Sequence, residues 1–211
     1  MYLKDLLFWN VDTQNDFVLP EGKLYVQGAE LLKPKWEQLT KLAADNSVRV
    51  VNSADFHFPD SQELSLSPNF IDTFPPHCMA NTSGAEYIPE TNPKNPVVFD
   101  WDKPDLDISS IEKYRNIIIR KDAFDVFKGN KQTNAILKYL SPKRVVVYGV
   151  TTNVCVNDAV VGLAQRVEQV YVVEDAIKEL PNIPLPFKNW EALNVKLIKL
   201  NDLPDLISRW K

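Results

Sequence analysis

The sequence predicts an α/β fold: a single domain with one open parallel sheet of about six strands, covered by helices on both faces as a three-layer sandwich. Three observations carry that reading. Short β-branched runs recur along the chain, segments with helical spacing separate most of them, and 211 residues suffice for one sizeable core but not comfortably for two.

The predicted strands are Leu6 to Val11, Val48 to Asn52, Pro96 to Trp101, Asn116 to Ile119, Val145 to Val150 and Val170 to Val173. Each is short and apolar, as strands buried on both faces are. Helical spacing runs over Leu31 to Ala44, Ser109 to Tyr114, Thr133 to Leu140 and Val156 to Arg166. From Phe56 to Asn95 neither period holds, and the stretch is rich in Pro, Ser, Asn and aromatic residues. Irregular loops of that length are usually functional. After Glu179 come three prolines, an apolar segment Val195 to Leu200 and a short amphipathic end, Leu203 to Trp210. This tail is expected to pack as an appendage at the sheet edge, so residues 1–211 read as one domain.

Composition excludes several classes of partner. A net charge of −4 without a long Lys/Arg run offers no footprint for nucleic acid or an anionic membrane, which leaves a small molecule. The early apolar run, bracketed by Asp5 and Asp12, is too short for a signal sequence or a membrane span, so a cytoplasmic location is expected. Cys78 and Cys155 are the only cysteines; they cannot build a disulfide scaffold and fit a reducing compartment.

In an open parallel sheet the binding crevice lies beyond the carboxyl ends of the strands. The first predicted strand ends at Asp12, the second leads to Asp55 and His57, the fourth to Lys121, and the fifth runs through Gly149 to Cys155. Cys155 opens a helix, where free N–H groups and the dipole are expected to lower a thiol pKa; the competing role is a small buried apolar residue. A cysteine nucleophile needs a base. The two histidines, His57 and His77, fall in the irregular loop among other potential metal ligands. Asp12, its pKa raised by desolvation, therefore fits the base, with Lys121 orienting it. Singly, Asp12 reads as a turn cap and Lys121 as a solvated strand end; their convergence with Cys155 on one sheet edge favours a triad. Asp55, His57 and His77, with Glu63 between them, form a ligand set suited to Zn, Fe(II) or Mn(II), against the alternative of two surface histidines in a loop.

Taken together, Val11-Asp12-Thr13-Gln14-Asn15-Asp16-Phe17, Asp55-Phe56-His57, Phe74-Pro75-Pro76-His77-Cys78 with Gly84-Ala85, Lys121, and Gly149 through Val156 resemble the isochorismatase-like cysteine hydrolases. Within them the match is to the nicotinamidases, including pyrazinamide-hydrolysing members, and it spans nearly the whole chain. The resemblance implies a Rossmann-like fold with Asp12, Lys121 and Cys155 as base, orienting cation and nucleophile. It implies one divalent metal, zinc first with iron or manganese as alternatives, held by Asp55, His57 and His77 and by Glu63 where many members have a third histidine. It further implies a cis bond at Val150–Thr151, an oxyanion hole of the Thr151 and Cys155 N–H groups, and a ring pocket lined by Phe17 and Phe74. The implied reaction is hydrolysis of nicotinamide to nicotinate and ammonia through a Cys155 thioester, in NAD salvage, by a homo-oligomer. Residues Asp122 to Gly129 depart from the family's usual Tyr-Ser-Gly-Phe-like stretch. Two other readings stay open: hydrolysis of another small amide, and a non-catalytic metal-containing binding domain.

Overall fold

The computed structural model describes residues 2–210 and places seven strands in one sheet: β1 (Leu3–Val11), β2 (Val48–Asp55), β3 (Val97–Phe99), β4 (Asn116–Lys121), β5 (Arg144–Val150), β6 (Gln169–Lys178) and β7 (Lys196–Ile198). Their order is β3-β4-β2-β1-β5-β6-β7, with every neighbouring pair parallel. The helices are α1 (Asn15–Val18), α2 (Lys33–Asp45), α3 (Val126–Gly129), α4 (Thr133–Leu140), α5 (Cys155–Ala164), α6 (Phe187–Ala192) and α7 (Leu203–Trp210).

Alternation along each strand divides the core between two faces. Leu7, Trp9 and Val11 of β1 join Val145 and Val147 of β5 in a cluster with Ile136 and Leu137 of α4, Val156, Ala159, Val160 and Leu163 of α5, and Trp190 of α6. Leu6 and Phe8 point the other way, into a cluster with Val146 and Tyr148, Trp36, Leu39 and Ala43 of α2, and Leu203 and Ile207 of α7. In α2 these residues follow i, i+3, i+7 spacing, one stripe of a helix that starts with a proline in its first turn. The Trp36 indole N–H donates to Ala176 O at 2.9 Å, fixing α2 to β6.

Besides the short helices α1, α3 and α6, which were not among the predicted ones, two elements differ from the sequence expectation. β7 adds a three-residue seventh strand at the edge, paired with β6; its exposed residues lack the buried apolar signature of the others. Residues Ile108–Lys113 form a 3-10 turn instead of an α-helix. The Asp107 side chain caps that turn by accepting from Ser109 N, and a six-residue segment is too short to sustain an α-helix on propensity alone.

The segment from Phe56 to Pro96 contains no strand and only one 3-10 turn, Ser83–Ala85. Local ladders hold it in place. His57 N donates to Cys78 O at 3.1 Å and Ala80 N to His57 O at 2.8 Å, which lays the His77 region beside His57. Phe74 N donates to Glu63 O at 2.8 Å and Ser65 N to Phe74 O at 2.9 Å. Among the described residues, no helix is long and apolar enough to cross a membrane.

Candidate active site

The carboxyl ends of β4, β2, β1 and β5 lie side by side in the sheet, so the register itself gathers the site. Lys121 is the ladder partner of Asp55, and Val11 pairs with both Ser53 and Gly149. Asp12, just past β1, has φ 48°, a left-handed conformation that aspartate tolerates better than most residues. Ser53 Oγ donates to Asp12 Oδ1 at 2.6 Å. Gly149 has φ +124° and its missing Cβ would drive into the Val11 backbone, so only glycine permits this approach of β5 to β1. The next peptide but one, Val150–Thr151, is cis.

Lys121, 1% exposed, occupies the centre. Its Nζ lies 3.0 Å from Asp12 Oδ2, pairs closely with Asp55 Oδ1 and stands 3.8 Å from Cys155 Sγ. Oxygens of Asp12 and Asp55 and the Cys155 sulfur fall within 4.8 Å of one another. The expected Asp12, Lys121 and Cys155 grouping is therefore formed, and Asp55 belongs to it as well as to the histidine cluster, a dual position the sequence did not suggest.

Charge is distributed unevenly over this cluster. Burial raises the Asp12 pKa above the usual aspartate value, against the pull of Lys121. Burial also opposes a charged Lys121, yet Asp12 and Asp55, then Cys155 and Glu63, hold it well above the ordinary lysine range. Asp55 is desolvated too, but Lys121 and the two imidazoles keep its carboxyl well below the usual value. The thiol overturns the sequence expectation. Burial pushes Cys155 well up; Lys121 opposes this, while Asp12, Asp55 and Glu63 add to it. The helix N-terminus was expected to lower that pKa, but desolvation and nearby carboxylates outweigh a dipole worth about 0.3–1 kcal/mol.

Beside the triad, Asp55, His57 and His77 offer one ligand atom each within 4.8 Å of one another, all from buried residues. Asp55 Oδ2 is 3.8 Å from His57 Nε2 and 3.6 Å from His77 Nε2. Asp55 Oδ2 and His57 Nε2 are buried without a hydrogen-bond partner, a costly state unless something else satisfies them. The outer nitrogens are engaged: His57 Nδ1 with Asp122 Oδ1 at 2.8 Å and His77 Nδ1 with Pro75 O at 2.8 Å. Donation from each Nδ1–H leaves the Nε2 lone pairs facing Asp55, so the donor set fits one divalent cation. Glu63, expected beside these residues, stands outside the three-residue group, although its Oε2 is likewise buried without a partner. Its Oε1 accepts from Phe124 N at 2.6 Å, and burial pushes its pKa up to about 7.

A narrow cavity opens onto Cys155 and His77. Phe17 and Phe74 line it as expected, joined by Leu24, Phe124 and Leu180. Phe74 and Phe124 meet edge to face at 5.5 Å on its wall, and the space is about 10 Å³, room for about one water. Thr151 and Cys155 are on the wall, and neither backbone N–H has a hydrogen-bond partner among the described residues. Several contributors went unread in sequence. Gln14 clamps the Asp55 backbone, donating to its O and accepting from its N, both at 2.8 Å; it lies within the quoted Val11–Phe17 motif, which was the available signal. Ser53, Asp122 and Phe124 act through contacts across the fold and gave none, except that Asp122 and Phe124 fall in the atypical stretch after Lys121.

Comparison with known proteins identifies a family and several similar chains. Residues 6–184 match the isochorismatase domain family. The nicotinamidase/pyrazinamidase of Mycobacterium tuberculosis is 32% identical over 166 residues, covering 74% of this chain and 80% of that one. Among solved structures, the N-carbamoylsarcosine amidase of Thermoplasma acidophilum superposes with a TM-score of 0.71 at 20% identity, covering 93% of this chain and 97% of that one. The pyrazinamidase of Pyrococcus horikoshii in complex with zinc gives 0.68 at 24% identity, with coverages of 92% and 99%. The sheet order, the family match and the identity to a nicotinamidase converge: this chain belongs to the isochorismatase-like hydrolase family.

Proposed function

We propose that this protein is a metal-dependent cysteine amidohydrolase that converts nicotinamide to nicotinate and ammonia, a step of NAD salvage. The observation that carries the reading is the position of Lys121 Nζ, paired with Asp12 and Asp55 and 3.8 Å from Cys155 Sγ, next to a three-donor cation cluster.

Asp55, His57 and His77 would hold the cation, with zinc the first choice given the zinc complex of the Pyrococcus relative. When bound, the ion supplies a Lewis acid able to take a lone-pair donor of the substrate. The chain's own residues perform the acyl transfer. The raised pKa values of Cys155 and Asp12 favour a neutral thiol whose proton passes to Asp12 as the sulfur attacks the carboxamide carbon, without a standing thiolate. Lys121 stabilises the anionic partners throughout. The carbonyl oxygen gains charge and is received by the free N–H groups of Thr151 and Cys155. The C–N bond then breaks, the nitrogen takes the proton from Asp12 and leaves as ammonia, and a Cys155 thioester remains. Water gives a proton to Asp12 as it attacks the thioester; acid is released and the sulfur recovers its proton.

Phe17, Phe74 and Phe124 present flat apolar surfaces that suit an aromatic ring better than a flexible linear amide. Since the cavity is so small, ring entry requires some of its lining side chains to move. The test is ammonia release by the zinc-loaded protein from nicotinamide, pyrazinamide and N-carbamoylsarcosine in parallel. Turnover of the two aromatic amides above the third is expected; turnover of N-carbamoylsarcosine alone would assign another amide.

A further inference from the structure

The two histidines of the cation cluster are held differently. His77 leans on a neutral backbone carbonyl, Pro75 O. His57 leans on a carboxylate, Asp122 Oδ1 at 2.8 Å, and that carboxylate is itself held: Ser61 Oγ donates to the same oxygen, while Phe58 N donates to Ser61 Oγ at 3.0 Å. A relay therefore runs from the backbone at Phe58 through Ser61 and Asp122 to His57, whose far nitrogen, Nε2, is buried with no partner. Asp122 directly follows Lys121 at the end of β4, so the strand that delivers the triad cation also delivers this carboxylate.

We propose that Asp122 is a positioning residue for the cation site, fixing the tautomer and orientation of His57 and raising its basicity as a ligand, with Ser61 setting the Asp122 rotamer. The inference rests on the metal reading above. A carboxylate behind an imidazole holds the proton on Nδ1 and directs the Nε2 lone pair at the ion; loss of such a partner typically lowers metal affinity by about 10–100-fold. Asp122 is only partly buried, with 21% of its side chain exposed, so its removal leaves the core intact.

The experiment is chelator competition with Zn²⁺ and with Co²⁺ on wild type, Asp122→Ala, Asp122→Asn, Ser61→Ala, His57→Ala and His57→Ala/Asp122→Ala, with thermal melting of each metal-free protein. Asp122→Ala is expected to weaken both ions by about 10–100-fold without a matching fall in metal-free melting temperature. Asp122→Asn, whose Oδ1 still accepts, is expected to recover part of the loss, and Ser61→Ala to show a smaller one. In the His57→Ala background the Asp122 change is expected to add nothing, because its effect passes through His57. If Asp122→Ala does not fold, Asp122→Asn decides, with a several-fold loss expected. Affinity within twofold of wild type in the variant that decides, or an undiminished Asp122 effect without His57, overturns the inference alone. Failure of wild type to bind either ion overturns the metal reading and this inference with it.

Discussion

Lys121→Met removes the cation at the centre of the site while keeping an unbranched side chain one atom shorter. Asp12 and Asp55, 0% and 1% exposed, would then face one another in the interior with no ammonium between them. Removing one partner of a buried ion pair costs about 3–5 kcal/mol, because the other partner stays buried and unpaired. The pH dependence follows from the directions of the two carboxyl shifts. Asp12 is already raised by burial, with Lys121 the main restraint, so the substitution sends it higher. A carboxyl raised in the folded state favours folding below its unfolded pKa and loses that contribution as pH rises through the folded value. Asp55 behaves oppositely in the wild type: its lowered pKa contributes stability above the ordinary aspartate value of 3.8, lost as pH falls below it. The Asp12 effect makes the variant's deficit larger at neutral pH than at about pH 5, whereas the Asp55 contribution is intact at both and changes only below 3.8. Urea unfolding of metal-free protein at about pH 7.5 and about pH 5 measures it, with ~3–5 kcal/mol expected at the higher pH and clearly less at the lower. A deficit under ~1 kcal/mol at neutral pH, the size of an exposed ion pair, or the same deficit at both values, would refute the reasoning.

Three further outcomes are expected. Gly149→Ala, at φ +124° with the Val11 backbone in the way, should lower the melting temperature or prevent folding; a shift of less than a degree or two would mean that β5 can yield there. Iodoacetamide labelling of the metal-free protein against pH, with Cys155→Ala as blank, should show Cys155 reacting with a midpoint above the ordinary thiol value of about 8.5, consistent with its direction. A midpoint at or below that value would restore the pre-formed thiolate expected from the helix terminus. Phe124→Ala should open the cavity and raise kcat/KM for ring-substituted amides relative to nicotinamide by about 10-fold or more, the scale of apolar-pocket discrimination; an unchanged ratio would show that Phe124 does not limit ring size.

Much of this could be read from the sequence because parallel sheets place their strand exits together. The runs ending at Val11, Ile119 and Val150 were recognisable by their apolar, β-branched character, and once they are neighbours, Asp12, Lys121 and Cys155 have little choice but to converge. The candidate donors His57 and His77 in the loop, beside Asp55 at the end of β2, were legible through scarcity, since the chain has only two histidines. What escaped depended on distance or depth. β7 has no buried periodicity, and helical spacing does not separate a 3-10 turn from an α-helix in a segment as short as Ile108–Lys113. The thiol pKa direction was misread because a helix terminus is visible in sequence whereas desolvation depends on the packing around Cys155. Glu63 lies in the right segment; one carboxylate oxygen accepts from Phe124 N and the other is buried without a partner. Asp122 acts on His57 across 65 positions, a pairing no local pattern encodes.

The most direct test of cysteine-centred amide hydrolysis is acid-quenched turnover of nicotinamide followed by intact mass and peptide mapping, run on wild type and Cys155→Ala. An acyl adduct confined to the Cys155 peptide, with turnover in Cys155→Ala reduced by at least about 10³-fold, is the expected result. Turnover by Cys155→Ala at the wild-type rate would contradict it and place the chemistry elsewhere in the site.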